Sequence, residues 1–212
     1  MYYQRYDIKS FVQTTKECLE KKPNGVIVVP ADIKVTKHFC ETMHERKIPF
    51  ILLDSYIPDV NPLTFFGQDS FSSGKFAAKM LMLLAANDKE IMLFKRMKNG
   101  KVASRQQENR ELGFRHYMNE HFPNVRIAEL DVPVEGSPES NEKKLEQFFS
   151  AHPGIRNCIT LGSKAHIVGE FLLKTNRRSV QIMGYDMVEK NAQCLRKGSI
   201  SFLIAQHAYM QG

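Results

Sequence analysis

The chain has 212 residues, which is enough for one large domain or for two smaller lobes that each bury a core. Hydrophobic residues make up 42% and charged residues 25%, an ordinary globular balance, and no apolar run approaches the roughly 18 residues of a membrane-spanning helix. The formal net charge is +7, but the lysines and arginines are scattered, which favours solvated helix faces over a nucleic-acid-binding surface.

Short apolar runs bounded by Gly, Pro or polar residues recur along the chain and predict β-strands. Runs of this length that are apolar throughout are typical of strands covered on both faces, as in parallel sheets. The predicted strands cover residues 25–30, 49–54, 64–67, 90–94, 125–130, 157–161, 180–184 and 200–204.

Helical periodicity fills the gaps between these strands. The apolar stripes lie in residues 8–19, 76–84, 112–118, 145–149 and 167–172. Ser70 and Ser163 are predicted helix N-caps. Strands that alternate with helices predict βαβ units with right-handed crossovers, so the expected fold class is α/β, with doubly wound parallel sheets flanked by helices.

The two chain ends and one internal segment bear on domain organisation. Residues 55–62 are punctuated by prolines and are interpreted as a crossing between two lobes. Residues 1–22 open with a helix that lacks a preceding strand, and residues 206–212 stop just after a strand. We therefore interpret the chain as truncated at both ends.

The cysteines and the N-terminal residues indicate the cellular compartment of the protein. Cys18, Cys40, Cys158 and Cys194 form no CxxC pair and have no metal-ligand spacing, so we expect free, mostly packed thiols in a reducing environment. The first residues lack the apolar stretch of a signal peptide. A cytoplasmic protein is therefore expected.

Polar residues follow most of the predicted strands, at the edge where open parallel sheets bind ligands. Their amide, hydroxyl, carboxylate and guanidinium groups suit hydrogen bonding to a polyhydroxylated molecule. Taken singly, an Asp at a strand end is as well explained by capping, and Arg110 by a solvated helix face. The positions are Asp32, Asp54, Gln68, Asp69, 95–110, 162–164, 184–186 and Gln206.

The same residues do not suit catalysis. The sequence has no GxSxG nucleophile elbow, Walker loop, HExxH or GxGxxG pattern. Its seven histidines are dispersed, and His38 and His44 have no acidic partner at metal-ligand spacing. They are interpreted as surface or packing residues, except His166, which lies near the end of a predicted strand. We therefore expect no enzyme activity, no cofactor and no metal site, and an α/β enzyme acting on a sugar or phosphorylated substrate is the least favoured alternative.

Five stretches, in this order, resemble the ligand-binding core of lactose-repressor/galactose-repressor (LacI/GalR) type regulators. They are similar to the patterns PDGIIVxP, xIPVVxxD, xxDxxxxGxxAA, RxxGF and xxGYD. The stretches are 23–30 (PNGVIVVP), 47–54 (KIPFILLD), 66–78 (FGQDSFSSGKFAA), 110–114 (RELGF) and 182–186 (IMGYD). The resemblance implies a two-lobed type I periplasmic-binding-protein fold, with one lobe from 1–65 plus 205–212 and a second from 66–204.

The resemblance also implies ligand contacts. The Arg of RxxGF and the Asp of GYD are the family's usual pair, here Arg110 and Asp186, and Gln106 precedes that Arg by four residues. Where members carry an Asn-Asp pair at a helix start, this chain has Ser163-Lys164. The expected ligand-binding set is Arg110, Asp186, Gln106, Ser163, Gln68, Phe71 and Gln206.

The function implied by the resemblance is sensing of a sugar-like effector in a bacterial transcription repressor. A ligand held between the lobes would shift open and closed states and so DNA binding by the full-length protein. Operator DNA would be bound only through an N-terminal helix-turn-helix domain absent from this chain, and a homodimer is expected. The alternative is a sugar-binding protein of a transport or chemotaxis system with the same fold.

Overall fold

The computed structural model describes residues 1–4, 7–85, 87–98, 100–102 and 104–205. Within these ranges the chain forms two compact units. The smaller unit comprises Met1–Gln68, and the larger unit begins at Asp69.

The smaller unit is a three-stranded parallel sheet with two helices. Its elements are α1 (Ile8–Glu20), β1 (Val26–Val28), α2 (Ile33–Glu45), β2 (Phe50–Leu53) and β3 (Phe65–Phe66), with strand order β1-β2-β3. Asp7 and Asp32 begin the two helices, because each carboxylate accepts hydrogen bonds from backbone N–H groups of the first turn. The core consists of Val28, Phe39, Cys40, Met43, Phe50, Leu52, Ile57 and Val60.

The larger unit is a six-stranded sheet covered by five helices, counted over the described residues. Four neighbouring pairs, β6–β4, β4–β7, β7–β8 and β8–β9, are parallel, and β5 pairs antiparallel with the end of β4. The elements are α3 (Ser70–Leu84), β4 (Glu90–Lys98), β5 (Lys101–Val102), α4 (Arg105–His121), β6 (Arg126–Pro133), α5 (Pro138–Ala151), β7 (Asn157–Thr160), α6 (Ala165–Lys174), β8 (Gln181–Tyr185), α7 (Glu189–Arg196) and β9 (Ile200–Ile204).

The larger sheet carries a hydrophobic core on each face. Alternate residues of β4 point to opposite faces, so Ile91 and Leu93 join one core while Met92 and Phe94 join the other. Side chains of α3 and α4 complete the first core, and side chains of α5, α6 and α7 complete the second. This arrangement confirms the predicted doubly wound α/β layer.

Several details of the sequence-based prediction are wrong. The fourth strand, predicted to end at residue 94, continues to Lys98, and Lys101–Val102 form the additional hairpin strand β5. Helices α2 and α7 were not marked by an apolar stripe. The residue that caps α3 is Asp69, not Ser70, and Lys164, not Ser163, occupies the N-cap position of α6.

All four cysteines are free thiols, and three of them are buried. Within the residues that the structure describes, no helix combines the length and apolarity needed to cross a membrane.

Candidate functional site

The carboxyl ends of β4, β7 and β8 lie at one edge of the larger sheet, because these strands are parallel neighbours. Leu161 follows β7 and Asp186 follows β8, so both belong to this edge. Open parallel sheets bind ligands at this edge.

Arg110 is a buried cation held at this edge. It lies on α4 and is 2% exposed. Its Nη1 donates to the carbonyl oxygen of Leu161 at 3.0 Å, and its guanidinium carbon lies 4.0 Å from the centroid of the Tyr185 ring. The ring face attracts the cation and fixes the plane of the guanidinium. Arg110 therefore lies beside the residue that precedes Asp186.

Two glycines allow the close helix packing that positions Arg110. A Cβ on Gly74 of α3 would lie 2.0 Å from the backbone oxygen of Arg110, and a Cβ on Gly113 of α4 would lie 2.0 Å from that of Phe71. Only glycine fits such an approach of two helix backbones. The glycines of two of the predicted motifs thus bring α3 and α4 together at Arg110.

Tyr185 links α3 to the end of β8. Its side chain is fully buried, and its hydroxyl lies 3.0 Å from both the hydroxyl and the carbonyl oxygen of Ser73. Burial raises the pKa of Tyr185, although the Ser73 hydrogen bond and the Arg110 charge act in the opposite direction. The phenol is therefore a neutral donor that anchors the ring beneath Arg110.

Asp186 has a constrained backbone. Its φ is +66°, in the left-handed region that Asp tolerates better than most residues. Its N–H donates to the carbonyl oxygen of Ile204 at 2.9 Å, and its own carbonyl oxygen accepts from Asn191 at 3.0 Å. Both backbone polar groups of Asp186 are therefore held by neighbouring elements.

Asn191 is a buried residue of this edge that the sequence analysis missed. It is 0% exposed. Its amide nitrogen donates to the carbonyl oxygens of Ser163 at 3.1 Å, Tyr185 at 3.0 Å and Asp186 at 3.0 Å. One side chain thus holds the loop after β7 against the loop after β8.

His166, the histidine that the sequence placed near a strand end, is a second residue absent from the expected ligand-binding set. It is 7% exposed, and its backbone N–H and its ring Nδ1 both lie 2.9 Å from Oδ1 of Asn191. Burial lowers the pKa of His166, outweighing the opposite effect of its hydrogen bond with Asn191. The ring is therefore neutral near pH 7 and carries its proton on Nδ1, facing the Asn191 oxygen.

Two other predicted site residues of the larger unit, Ser163 and Gln106, are half-buried. Ser163 is half-buried and joined to Asp186 through Asn191. Gln106 is half-buried in the first turn of α4. Its neighbour Gln107, which is not in the expected ligand-binding set, packs on the loop after β7, because a Cβ on Gly162 would lie 2.2 Å from the Gln107 amide nitrogen.

The remaining residues of the expected ligand-binding set are Gln68, Phe71 and Gln206. Gln68 is half-buried and belongs to the smaller unit. Phe71 is 42% exposed, and its ring lies against His116, with 5.7 Å between centroids. Gln206 lies outside the described residues.

Lys95, predicted as a strand-end polar residue, belongs to an ion network instead. Its ammonium group contacts Glu129, Glu111 at 3.5 Å and Asp131 at 3.7 Å, and Arg115 joins Glu111 at 2.7 Å. Burial lowers the pKa of Lys95, but the hydrogen bond with Glu129 and the nearby carboxylate charges together raise it above its ordinary value. The charge of Lys95 is thus balanced within the protein.

The polar groups at this edge are able to form several hydrogen bonds. They include a stacked guanidinium, a carboxylate, a hydroxyl and side-chain amides, which can donate to and accept from hydroxyl groups. Among the described residues, no group of three or more His, Cys, Asp or Glu side chains is arranged to hold a metal ion.

The model of one protein family, described as periplasmic binding protein domain, matches residues 1–212. The chain belongs to this family. The type I periplasmic-binding-protein fold expected from the resemblance is thereby confirmed, with parallel sheets flanked by helices.

Solved structures resemble this periplasmic binding protein domain over nearly its whole length. A "putative LacI transcriptional regulator" from Bacteroides fragilis is 44% identical, with a TM-score of 0.93, over 100% of this chain and 72% of that one. A periplasmic sugar-binding protein of an ABC sugar transporter from Legionella pneumophila is 20% identical, with a TM-score of 0.82, over 97% of this chain and 75% of that one.

A curated relative is the xylose/arabinose-binding protein XylF of Sulfolobus acidocaldarius. It is 21% identical over 97% of this periplasmic binding protein domain. The chain spans about half the length of that relative, 53%. Roles for the whole protein, and ligand contacts by Arg110 and Asp186, stay predictions.

Proposed function

We propose that this domain binds a sugar-like small molecule as the effector-sensing part of a bacterial transcription regulator. The observation that carries the proposal is the buried Arg110 guanidinium stacked on Tyr185 beside Asp186, at the carboxyl edge of a parallel sheet. A planar guanidinium fixed in this way, with an Asp directly after the Tyr that holds it, suits a ligand with several adjacent hydroxyl groups.

The regulatory role is supported by the 44% identity to the Bacteroides fragilis protein, which is described as a LacI-type regulator. In such a protein a sugar acts by linkage, because it stabilises the conformation that binds it better and so changes the population available to bind DNA. A homodimer that meets DNA through a separate domain follows from the two-fold symmetry of most operators. A regulator of this kind acts in the cytoplasm.

The second candidate is a sugar-binding protein of a transport system. It is favoured by the Sulfolobus acidocaldarius xylose/arabinose-binding protein and by the Legionella pneumophila transporter protein. The sugar site would be the same in both candidates, so the two share one binding test and differ in what the site serves.

The binding test is calorimetric titration of the protein with D-xylose, L-arabinose, D-arabinose, D-ribose, D-glucose and D-galactose. The proposal predicts saturable binding of at least one sugar at one site, with a matching rise in thermal stability. Absence of binding across the whole panel would contradict the sugar-sensing function.

The coding region upstream of residue 1 separates the two candidates. A helix-turn-helix segment there supports the regulator, and a signal peptide supports the transport protein. For the regulator, a gel-shift titration of the full-length protein on DNA from its own promoter is expected to respond to the sugar identified by calorimetry.

A further inference from the structure

The start of helix α6 lacks a capping side chain of its own. Lys164 occupies the N-cap position and makes no side-chain hydrogen bond to the first turn. Free N–H groups at a helix start are usually satisfied by Ser, Thr, Asp or Asn at that position. Here the N–H of His166, in the first turn, donates to Oδ1 of Asn191 at 2.9 Å. Asn191, on α7, therefore caps α6 from a neighbouring helix.

The orientation of the Asn191 carboxamide follows from its partners. The His166 N–H can only donate, so the atom facing it must be the oxygen of the amide. The amide nitrogen then faces the three carbonyl oxygens of Ser163, Tyr185 and Asp186. The Nδ1–H of His166 adds a second donor to the same oxygen and holds the amide in this orientation.

The backbone that Asn191 holds is the backbone that carries the predicted ligand contacts. Ser163 and Asp186 sit on the loops after two neighbouring strands, and both carbonyl groups accept from one amide nitrogen. Asp186 is also kept at a φ of +66°, a conformation that relaxes readily when its hydrogen bonds are lost.

We propose that Asn191 is the positioning residue of the ligand site, fixing the loops of Ser163 and Asp186 in the geometry that binds the sugar. This inference rests on the function proposed above. His166 assists by orienting the Asn191 amide, and neither residue is proposed to touch the ligand.

Three variants separate this role from a general contribution to stability. Asn191→Ala removes all five hydrogen bonds. Asn191→Asp keeps the oxygen that faces His166 but turns an acceptor toward three carbonyl groups. The matched control is Asn157→Ala, because Asn157 is also buried in the larger unit, at 4% exposure, but begins β7 and donates to Asp88 at 2.8 Å, away from the loops.

The first measurement is hydrogen–deuterium exchange, which needs no ligand. Asn191→Ala and Asn191→Asp are expected to accelerate amide exchange in residues 162–166 and 185–187 at least about tenfold, with β4 and α3 unchanged. Asn157→Ala is expected to leave exchange in both loops as in the wild type. Wild-type exchange in both loops of the two Asn191 variants would overturn the proposal.

The second measurement is calorimetric affinity for D-xylose and L-arabinose. In metal sites, loss of a buried group that orients a ligating side chain weakens metal affinity about 10–100-fold, and we expect a comparable loss of sugar affinity for both Asn191 variants. Asn157→Ala is expected to bind like the wild type. Unchanged sugar affinity in folded Asn191→Ala, with a wild type that binds, would also overturn the proposal.

The two measurements distinguish failure of this inference from failure of the proposed function. If the wild type binds no sugar but the loops exchange faster in Asn191→Ala, the proposed sugar function fails, whereas the role of Asn191 in holding the two loops together is supported. If Asn191→Ala does not fold, His166→Ala provides the test, because it removes only the ring that orients the amide. Faster exchange in residues 185–187 is expected for His166→Ala, and wild-type exchange there would contradict the positioning role of Asn191.

Discussion

The guanidinium carbon of Arg110 lies 4.0 Å from the ring centroid of Tyr185, the residue that immediately precedes Asp186. This contact joins α4, on one face of the larger sheet, to the carboxyl end of β8. The Tyr185 hydroxyl extends the connection to Ser73 on α3. Residues that are far apart in the sequence are thereby fixed at one edge of the sheet.

Replacing Tyr185 by Phe tests this anchor. Tyr185→Phe keeps the ring beneath Arg110 but loses the hydrogen bond to Ser73, so we expect a loss of about 1 kcal/mol in the free energy of unfolding. Urea denaturation at pH 7 measures this loss. The control is Tyr56→Phe, whose side chain is 52% exposed and whose stability should stay within about 0.5 kcal/mol of the wild type. Equal stability of both variants and the wild type would contradict the anchor.

The pKa of Tyr185 gives a prediction for alkaline solution. Burial raises this pKa above that of an unfolded tyrosine, which is about 10. The neutral phenol therefore stabilises the fold fully below pH 10, and this stabilisation is lost as the pH rises through the folded-state pKa. Absorbance titration of the phenolate band should show a late-ionising tyrosine that is missing in Tyr185→Phe. Loss of an early-ionising tyrosine instead would contradict the burial.

The glycine crossing of α3 and α4 predicts a strong steric effect. A methyl group on Gly74 or on Gly113 would meet a backbone oxygen at 2.0 Å, so the helices must separate. Gly74→Ala and Gly113→Ala are each expected to lower the free energy of unfolding by roughly 1–3 kcal/mol or more. Gly154→Ala is the control, because a Cβ there meets no atom within 4 Å. Chemical denaturation that finds all three variants alike would disprove the close crossing.

Asp69 predicts a stability difference that depends on pH. Its carboxylate accepts from the Ser72 N–H at 3.0 Å and from the Ser72 hydroxyl at 2.6 Å, which lowers the pKa of Asp69. The cap is complete above the unfolded-state pKa and is lost as the pH falls through the lowered one. Asp69→Ala is therefore expected to cost about 1 kcal/mol at pH 7, and less in acid.

The control for the cap is Glu41→Ala, since the Glu41 side chain is exposed on α2. Urea denaturation of Asp69→Ala, Glu41→Ala and the wild type at pH 7 and near pH 2.5 gives the comparison. If the loss of unfolding free energy caused by Asp69→Ala were larger near pH 2.5 than at pH 7, the lowered pKa of Asp69 would be contradicted.

The helices and strands that could be predicted from the sequence are those whose buried side chains are mostly apolar. Strands such as β1 (Val26–Val28) and β2 (Phe50–Leu53) are apolar along their length, so the parallel sheets could be predicted. Helix α2 was missed because two of its buried positions, Thr36 and Cys40, are weakly apolar or polar. Strand β5 has two residues and exists only through its pairing with the end of β4, which no local pattern encodes.

Only part of the candidate site could be predicted from the sequence. Arg110 and Asp186 were identified from motifs, but the stacking of Arg110 depends on Tyr185, which lies on another element. Asn191 sits on a short, polar helix, where an asparagine is usually solvated. No sequence signal indicated its role, because Ser163 offers an ordinary N-cap and only the structure shows that Lys164 occupies that position without a capping side chain.

The most direct test of the account is the sugar affinity of Arg110 and Asp186 variants, measured by calorimetry with whichever sugar the wild type binds. Arg110→Ala and Asp186→Asn are each expected to weaken binding at least about tenfold, or 1.4 kcal/mol. Arg126→Ala is the control, because the Arg126 side chain is 73% exposed. Wild-type affinity in folded Arg110→Ala and Asp186→Asn would contradict the proposed site.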